Sequence, residues 1–283
     1  MKEITHTQGR MFSIITITKN DLIGLTKTFA SVVTQSCSPE AFEWIIKDAE
    51  SSDGTKEYIE SIRNTCNFPV RWLRCPDNGI YDAMNQGMNK ACGTYILFLN
   101  SGDTLHDCDV LTKVKARLVG EQTSATFLLG DVIDVLPGGI RVHGVARSMS
   151  YIRHSLPTSH QCIFYNREHI GLLQYNPTFR VAGDYDFTAR VYRDCYRGDI
   201  DLGFPVAVFT MGGTSACLRN TLLWEAFRIQ KDVFKTSLIT RLASLIVHFG
   251  AAECKLRVPV LYRALRGIFR HLTCLHPLSR DAP

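Results

Sequence analysis

FSIITITKNDLIGLTKTFASVVTQSCSPEAFEWIIKD, residues 12–48, decides the architecture of this chain. Its first seven residues are a β-branched apolar run, the composition of a strand buried on both faces. Asp21 follows as a helix N-cap, and Leu22, Leu25, Phe29 and Val32 or Val33 recur at helical spacing, which predicts an amphipathic helix ending near Gln35. Phe42 to Lys47 is a second apolar run, closed at Asp48 by a polar turn, AESSDGT. A strand, a helix and a strand in this order predict two parallel neighbours joined by a crossover.

The same grammar continues outward. A helix is expected through Tyr58, Ile59 and Ile62, then a short strand from Val70 to Leu73. The turn Asp77-Asn78-Gly79 leads into a helix whose apolar face is Ile80, Met84, Gly87, Met88 and Ala91. TYILFL at 94–99 reads as a fourth buried strand that stops at Asn100-Ser101-Gly102-Asp103. Strands alternating with helices imply a mostly parallel central sheet, Rossmann-like, with helices on both faces. In such sheets ligands bind at the carboxyl ends of the strands, where this chain places Thr18-Lys19-Asn20, Asp48, Asp77-Asn78 and Asp103.

Beyond residue 125 the alternation loosens. Strands are expected at Thr126–Leu129, Gln161–Tyr165 and Val206–Thr210, with a hairpin from Asp131 to Arg141 around Pro137-Gly138-Gly139. Asp184 opens a helix carrying Phe187, Val191 and Tyr192, and Gly212-Gly213 reads as a tight turn or a closing loop. From Arg219 onward the pattern is helical and basic.

Composition narrows the function classes. With 45% apolar and 21% charged residues over 283 positions, the chain can bury a large core and is neither disordered nor fibrous. Ten scattered cysteines without a C-x-x-C pair argue against a structural zinc site, and MKEITHTQGRMF has no signal-peptide core, so cytoplasmic residence with free thiols is expected. The turn after the first strand, Thr-Lys-Asn-Asp, has no G-x-G-x-x-G, and the phosphate-loop lysine motif is missing too. Strand-end carboxylates suggest instead a base or ribose read by hydrogen bonds and a diphosphate held through a hard divalent cation.

SIITITKN at 13–20, KDAESSDGT at 47–55, DNGIYDAMNQGMNKACGTYILFLNSGD at 77–103, SHQCIFY at 159–165 and AGDYDF at 182–187 resemble, in order, the signature of inverting family-two glycosyltransferases of GT-A fold. The wording IRHSLPTSHQ at 152–161 and MGGTS at 211–215 is most similar to bacterial exopolysaccharide transferases of the colanic acid type. The resemblance implies a leader at 1–10 and a catalytic domain at 11–216, with a nucleotide-sugar half at 11–105 and an acceptor half at 106–216. It implies transfer of a sugar from a nucleoside diphosphate, UDP favoured, to a saccharide or lipid-linked saccharide.

By this resemblance Asp184 matches the catalytic base, and Asp48 and Asp53 match residues beside the nucleotide. Asn78 approaches the sugar diphosphate, and Asp103 matches the last aspartate of a D-x-D-like element that ligates Mg or Mn. Thr18, ending the first strand, joins the donor-binding set; His160 and Gln161 are expected at the acceptor or the donor sugar, with structural hydrogen bonding the alternative role of the histidine. Asp186 is the alternative base, and capping of the second helix is the alternative role of Asp53. Asn100 stands where a fully acidic element would supply another carboxylate; turn formation is its commoner role. A non-catalytic nucleotide-sugar-binding scaffold of the same fold is the competing reading.

The formal charge of +5 is unevenly placed. Residues 235–283 hold eight Lys or Arg against Glu253 and Asp281, so the whole excess belongs to the end of the chain and the rest is near neutral. Leu242, Leu245, Ile246, Phe249, Leu261, Leu265, Ile268, Phe269 and Leu272 interleave with those charges at helical spacing. The segment 217–283 is therefore expected to be a helical, basic extension that meets an anionic surface at the inner face of the cytoplasmic membrane, or packs on the catalytic domain. A neutral main domain offers no groove for nucleic acid.

Overall fold

The computed structural model describes residues 9–119, 124–210 and 218–257. The Gly212-Gly213 turn, the leader before residue 9 and the stripe beyond residue 257 lie outside the described residues. Four strands, β1 (Phe12–Thr18), β2 (Phe42–Asp48), β3 (Val70–Arg74) and β4 (Tyr95–Phe98), pair in parallel in the order β3-β2-β1-β4. They are linked by α1 (Leu22–Val33), α2 (Thr55–Arg63) and α3 (Ile80–Met88), as the alternation predicts.

The sheet continues past β4 through β8 (Ile163–Asn166), β6 (Phe127–Val135), β9 (Asp199–Thr210) and the two-residue β5 (Thr104–Leu105), with β7 (Arg141–Gly144) beside β6. β8 is antiparallel to both β4 and β6, and β9 is parallel to β6. Six of the nine strands described thus run one way, and β5, β7 and β8 oppose them. The sheet is α/β and mostly parallel.

Alternation along the strands feeds two cores. Ile14, Trp44, Ile46, Leu97 and Phe164 meet α1, α2 and α4 (Val110–Leu118) on one face. Ile15, Ile45, Ile96, Phe98 and Tyr165 meet α3, α6 (Gly183–Cys195) and α7 (Arg219–Asp232) on the other. The short α5 (Arg167–Ile170) follows β8, and α8 (Leu238–Arg257) packs against α7. In α6 the backbone comes so near Tyr81 that a methyl group at Gly183 would sit 2.6 Å from the ring. Glycine at 183 therefore sets how deeply the next residue, Asp184, enters the molecule.

Lys47, read as the end of a strand, is fully buried inside β2. Its Nζ lies 2.7 Å from Asp77 Oδ2 and donates to the Cys75 carbonyl at 2.8 Å. Removing one partner of such a buried pair typically costs about 3–5 kcal/mol. The pair fixes the Asp77–Gly79 turn against the sheet edge.

Candidate functional site

The carboxyl ends of β1 and β4 open into a cavity of about 1100 Å³. Thr18 and Lys19 enter it from β1, Asn100 to Asp103 from the turn after β4, and Asp184 from the first turn of α6. Ser159 to Gln161, preceding β8, close the far wall. Segments more than 150 residues apart in sequence therefore share one space.

The turn after β4 is set by its own chemistry. The Asp103 N–H donates to the Asn100 carbonyl at 3.0 Å, and Gly102 takes φ 93°, a value that favours glycine. Thr28 of α1 holds the turn from outside, its hydroxyl donating to the Asp103 carbonyl at 2.8 Å. Asp21 caps α1 through the Gly24 N–H at 3.0 Å and also accepts from the Ser101 hydroxyl at 2.8 Å. A residue expected only as a cap thus ties the first helix to the turn that carries Asp103.

Asp103 is 7% exposed, and its Oδ2 accepts from Gln161 Nε2 at 2.9 Å. Burial pushes its carboxyl up to about 6, against the opposing pull of the Gln161 hydrogen bond and the His160 charge. His160 lies between two partners: Nδ1 is 3.3 Å from Asp184 Oδ2, and Nε2 is 3.3 Å from Asn100 Nδ2. Burial pulls its imidazole down, but the Asp184 hydrogen bond and the charges of Asp184 and Asp103 outweigh it and leave the group raised. Asp184 Oδ1 accepts from the Tyr185 N–H at 2.8 Å in the first turn of α6. Asp186, the alternative base, is bound to Arg190 at 2.8 Å and does not line the cavity.

The other residues expected at the donor lie outside the cavity lining. Asp48 is fully buried, accepts from the Ser51 N–H at 2.9 Å and faces Arg74 Nε at 3.6 Å. Asp53 accepts from the N–H of Leu22 at 2.9 Å and the hydroxyl of Thr55 at 2.6 Å, so it joins the starts of α1 and α2. The Asn78 side chain is exposed and reaches Asp82 Oδ2 at 3.4 Å. None of these three lines the cavity; Ala49, Asp77 and Gly79 do so beside them.

A residue that sequence reading missed organises the approach to Asp184. Glu225 of α7 accepts three successive backbone N–H groups, from Arg180 at 2.8 Å, Val181 at 3.0 Å and Ala182 at 2.8 Å. Ala182, the N-cap of α6, has no side-chain acceptor, and the Glu225 carboxylate instead pins the three-residue segment that leads into the helix. Only the tertiary approach of α7 makes this visible. Lys19, Lys27 and Arg180 bring positive charge to the cavity wall.

No three His, Cys, Asp or Glu side chains among the described residues converge as a metal cluster. The oxygen donors available are of mixed kind: the Asp103 carboxylate, and Asn100 Oδ1 and Gln161 Oε1, both buried without a hydrogen-bond partner. One carboxylate with neutral oxygens suits a hard divalent cation that draws its other ligands from phosphate and water.

The model of the family described as Glycosyl transferase family 2 matches residues 13–182. The PGL/p-HBAD biosynthesis glycosyltransferase of Mycobacterium bovis (strain BCG / Pasteur 1173P2) is 34% identical over 183 residues, covering 64% of this chain and 70% of that protein. Among solved structures, Staphylococcus aureus TarS 1–349 in complex with UDP superposes with a TM-score of 0.63 at 19% identity, over 87% of this chain and 72% of that one. The mannosyltransferase PcManGT from Pyrobaculum calidifontis, in complex with GDP-Man and Mn2+, gives 0.61 at 16% identity, over 95% and 81%. The shared architecture is the GT-A fold.

Proposed function

The chain belongs to glycosyl transferase family 2, and from that premise we propose that it moves a sugar from a nucleoside-diphosphate donor, UDP favoured, to a saccharide or lipid-linked saccharide acceptor with inversion at the anomeric carbon. Glycosyltransfer in polysaccharide or glycoconjugate assembly is the coarser activity; the IRHSLPTSHQ and MGGTS wording supports exopolysaccharide as the product class. The observation that carries the reading is the convergence of Asp184, His160, Asn100 and Asp103 on one cavity at the strand ends.

Inversion is a single displacement: the acceptor oxygen bonds to the anomeric carbon as the diphosphate oxygen leaves, and the hydroxyl proton must go to a base. Asp184 takes that proton, and His160 holds one of its oxygens by donating from Nδ1. Lys19, Lys27 and Arg180 offset charge on the departing diphosphate. Asp103, with Asn100 and Gln161, would hold a Mg or Mn ion, whose contribution when bound is neutralisation of the same negative charge. Asp48, Asp53 and Asn78 act in this reading by shaping the nucleotide end from outside the cavity lining. Incubation with a panel of nucleotide sugars, a divalent cation and saccharide acceptors should release nucleotide from one donor class; binding without release is the outcome expected of a scaffold.

Glu225 offers a check on the placement of Asp184. Glu225→Ala strands three N–H groups and should cost about 2–3 kcal/mol of stability. It should also lower kcat by roughly tenfold or more, with a smaller loss of donor affinity as Arg180 shifts with the same segment, because small displacements of a reacting group are costly. Glu225→Gln, keeping one acceptor oxygen, should recover part of kcat. Equal loss in donor affinity and kcat would count against a positioning role.

The outer face of α8 supports peripheral attachment at the cytoplasmic membrane. Among the described residues no helix is long and apolar enough to cross a bilayer. Ile239 is 80% exposed and Ile246 is 71% exposed, with Leu242 and Phe249 beside them, whereas Ser244 turns inward and is buried. The helix thus packs by one face and presents apolar side chains on the other, the arrangement of an interfacial helix. The double substitution Ile239→Ser, Ile246→Ser should weaken co-sedimentation with phosphatidylglycerol vesicles roughly tenfold. Unchanged sedimentation would remove the membrane from this proposal.

A further inference from the structure

We infer that a second cavity, separated from the first by Asp184, seats an apolar aglycone of the acceptor: an alkyl or aryl group attached within one sugar residue of the accepting hydroxyl. The inference rests on Asp184 being the base, and it narrows the acceptor from saccharides in general to short amphiphilic glycosides.

The cavity has a volume of about 280 Å³ and lies between the 154–156 segment, α6, α7 and α8. Leu156, Val181 and Asp184 line both cavities, so a ligand with its hydroxyl at Asp184 has the second cavity directly beside it. Leu222, Ala226, Phe227 and Leu245 make the far wall apolar.

The polar groups there are largely spent on one another. Gln230 Nε2 donates to the His154 carbonyl at 2.8 Å and to Ser244 Oγ at 3.0 Å, and His248 Nδ1 donates to the Ser244 carbonyl at 2.7 Å. Groups so engaged bind one another and leave the volume to apolar surface. Two groups differ: the Tyr185 hydroxyl is buried without a hydrogen-bond partner, and so is Arg241 Nε, whose guanidinium lies 4.5 Å from the centre of the Phe227 ring. Either donor is free for an oxygen at the aglycone's linkage. A long polysaccharide would instead place sugar hydroxyls against leucines beside the base. The acceptor is therefore an early, small glycoside, and the reaction feeding this enzyme is one that leaves a single sugar or a bare hydroxyl on an apolar carrier.

The test uses the full chain with UDP and Mn, and an octyl glucoside carrying a diazirine at the end of its alkyl chain. Photolabelling should fall on peptides containing residues 222–227 and 244–248, and should be displaced by octyl glucoside but not by methyl glucoside. Ala226→Trp, which fills the cavity, should cut labelling roughly tenfold, while calorimetry shows UDP bound as in the parent. Leu222→Asn serves as a second variant should the tryptophan disturb folding. Label spread over the outer face of α8, label insensitive to both substitutions, or retention of the probe by residues 258–283 would overturn the assignment. Failure of the parent chain to bind UDP would sink the donor reading instead, while the label map still decides the aglycone site.

Discussion

Asp184→Asn should turn over about 10³-fold more slowly than the parent while binding UDP as tightly. The amide is nearly isosteric with the carboxylate and its oxygen can still accept from the Tyr185 N–H, so the start of α6 is kept. What it loses is the capacity to take a proton. His160 reports the change independently of turnover. Burial is the largest influence on its imidazole and pulls it down, and Asp184 supplies the hydrogen bond and the first of the charges that raise it. Removing that carboxylate should therefore lower the His160 titration measured by NMR.

The stability signature follows with a definite sign. A histidine raised in the folded state contributes stability that is full below its ordinary value of 6.5 and fades as pH rises through the raised value. The parent should thus exceed Asp184→Asn in thermal stability by more at pH 6 than at pH 9. Asp186→Asn is the control: it breaks the Arg190 pair and should cost stability with turnover retained. Full activity in Asp184→Asn would move the base elsewhere.

The first half of the fold was legible because parallel strands buried on both faces must be written as continuous apolar runs, and FSIITIT, FEWIIK and TYILFL are written so. The second half was less so. β9 begins at Asp199, seven residues before the expected Val206, because Asp201, Gly203 and Pro205 look like loop residues. The irregular register opposite Leu129 to Val132 of β6 accommodates them. β5 has only two residues and exists because Val208 and Ala207 of β9 pair with it.

The site divides along the same line. Asp103 and Asp184 could be found because each ends or begins an element, where the strand-end rule directs attention. Asp53 and Asn78 obey the same rule, yet their oxygens and amides are engaged by neighbouring groups, a local competition that spacing does not reveal. Glu225 and the contact between His160 and Asp184 depend on which helix lies against which turn. No periodicity carries that information.

Asp103→Asn should sacrifice activity and gain stability. Loss of the carboxylate proposed to hold the cation should lower turnover by about 10²–10³-fold and abolish the response of the residual activity to Mn. Yet the parent carboxyl, raised by burial from its ordinary 3.8 to about 6, is a group the fold prefers neutral. Between those values the folded chain binds more protons than the unfolded one, so stability falls as pH rises from about 4 to about 6 and stays lower above it. The cost of carrying this anion at neutral pH is at most about 3 kcal/mol. Asn keeps an oxygen for Gln161 Nε2 and has no charge to desolvate. In EDTA at pH 7.5 the variant should therefore melt above the parent, and the gap should close as pH falls towards 4. Adding Mn with UDP should stabilise the parent more than the variant, since on the proposed reading the cation neutralises the buried anion that the variant lacks. A variant that melted with the parent at pH 7.5 would show that Asp103 is not strained by its burial, and one that kept its Mn response would remove it from the metal site.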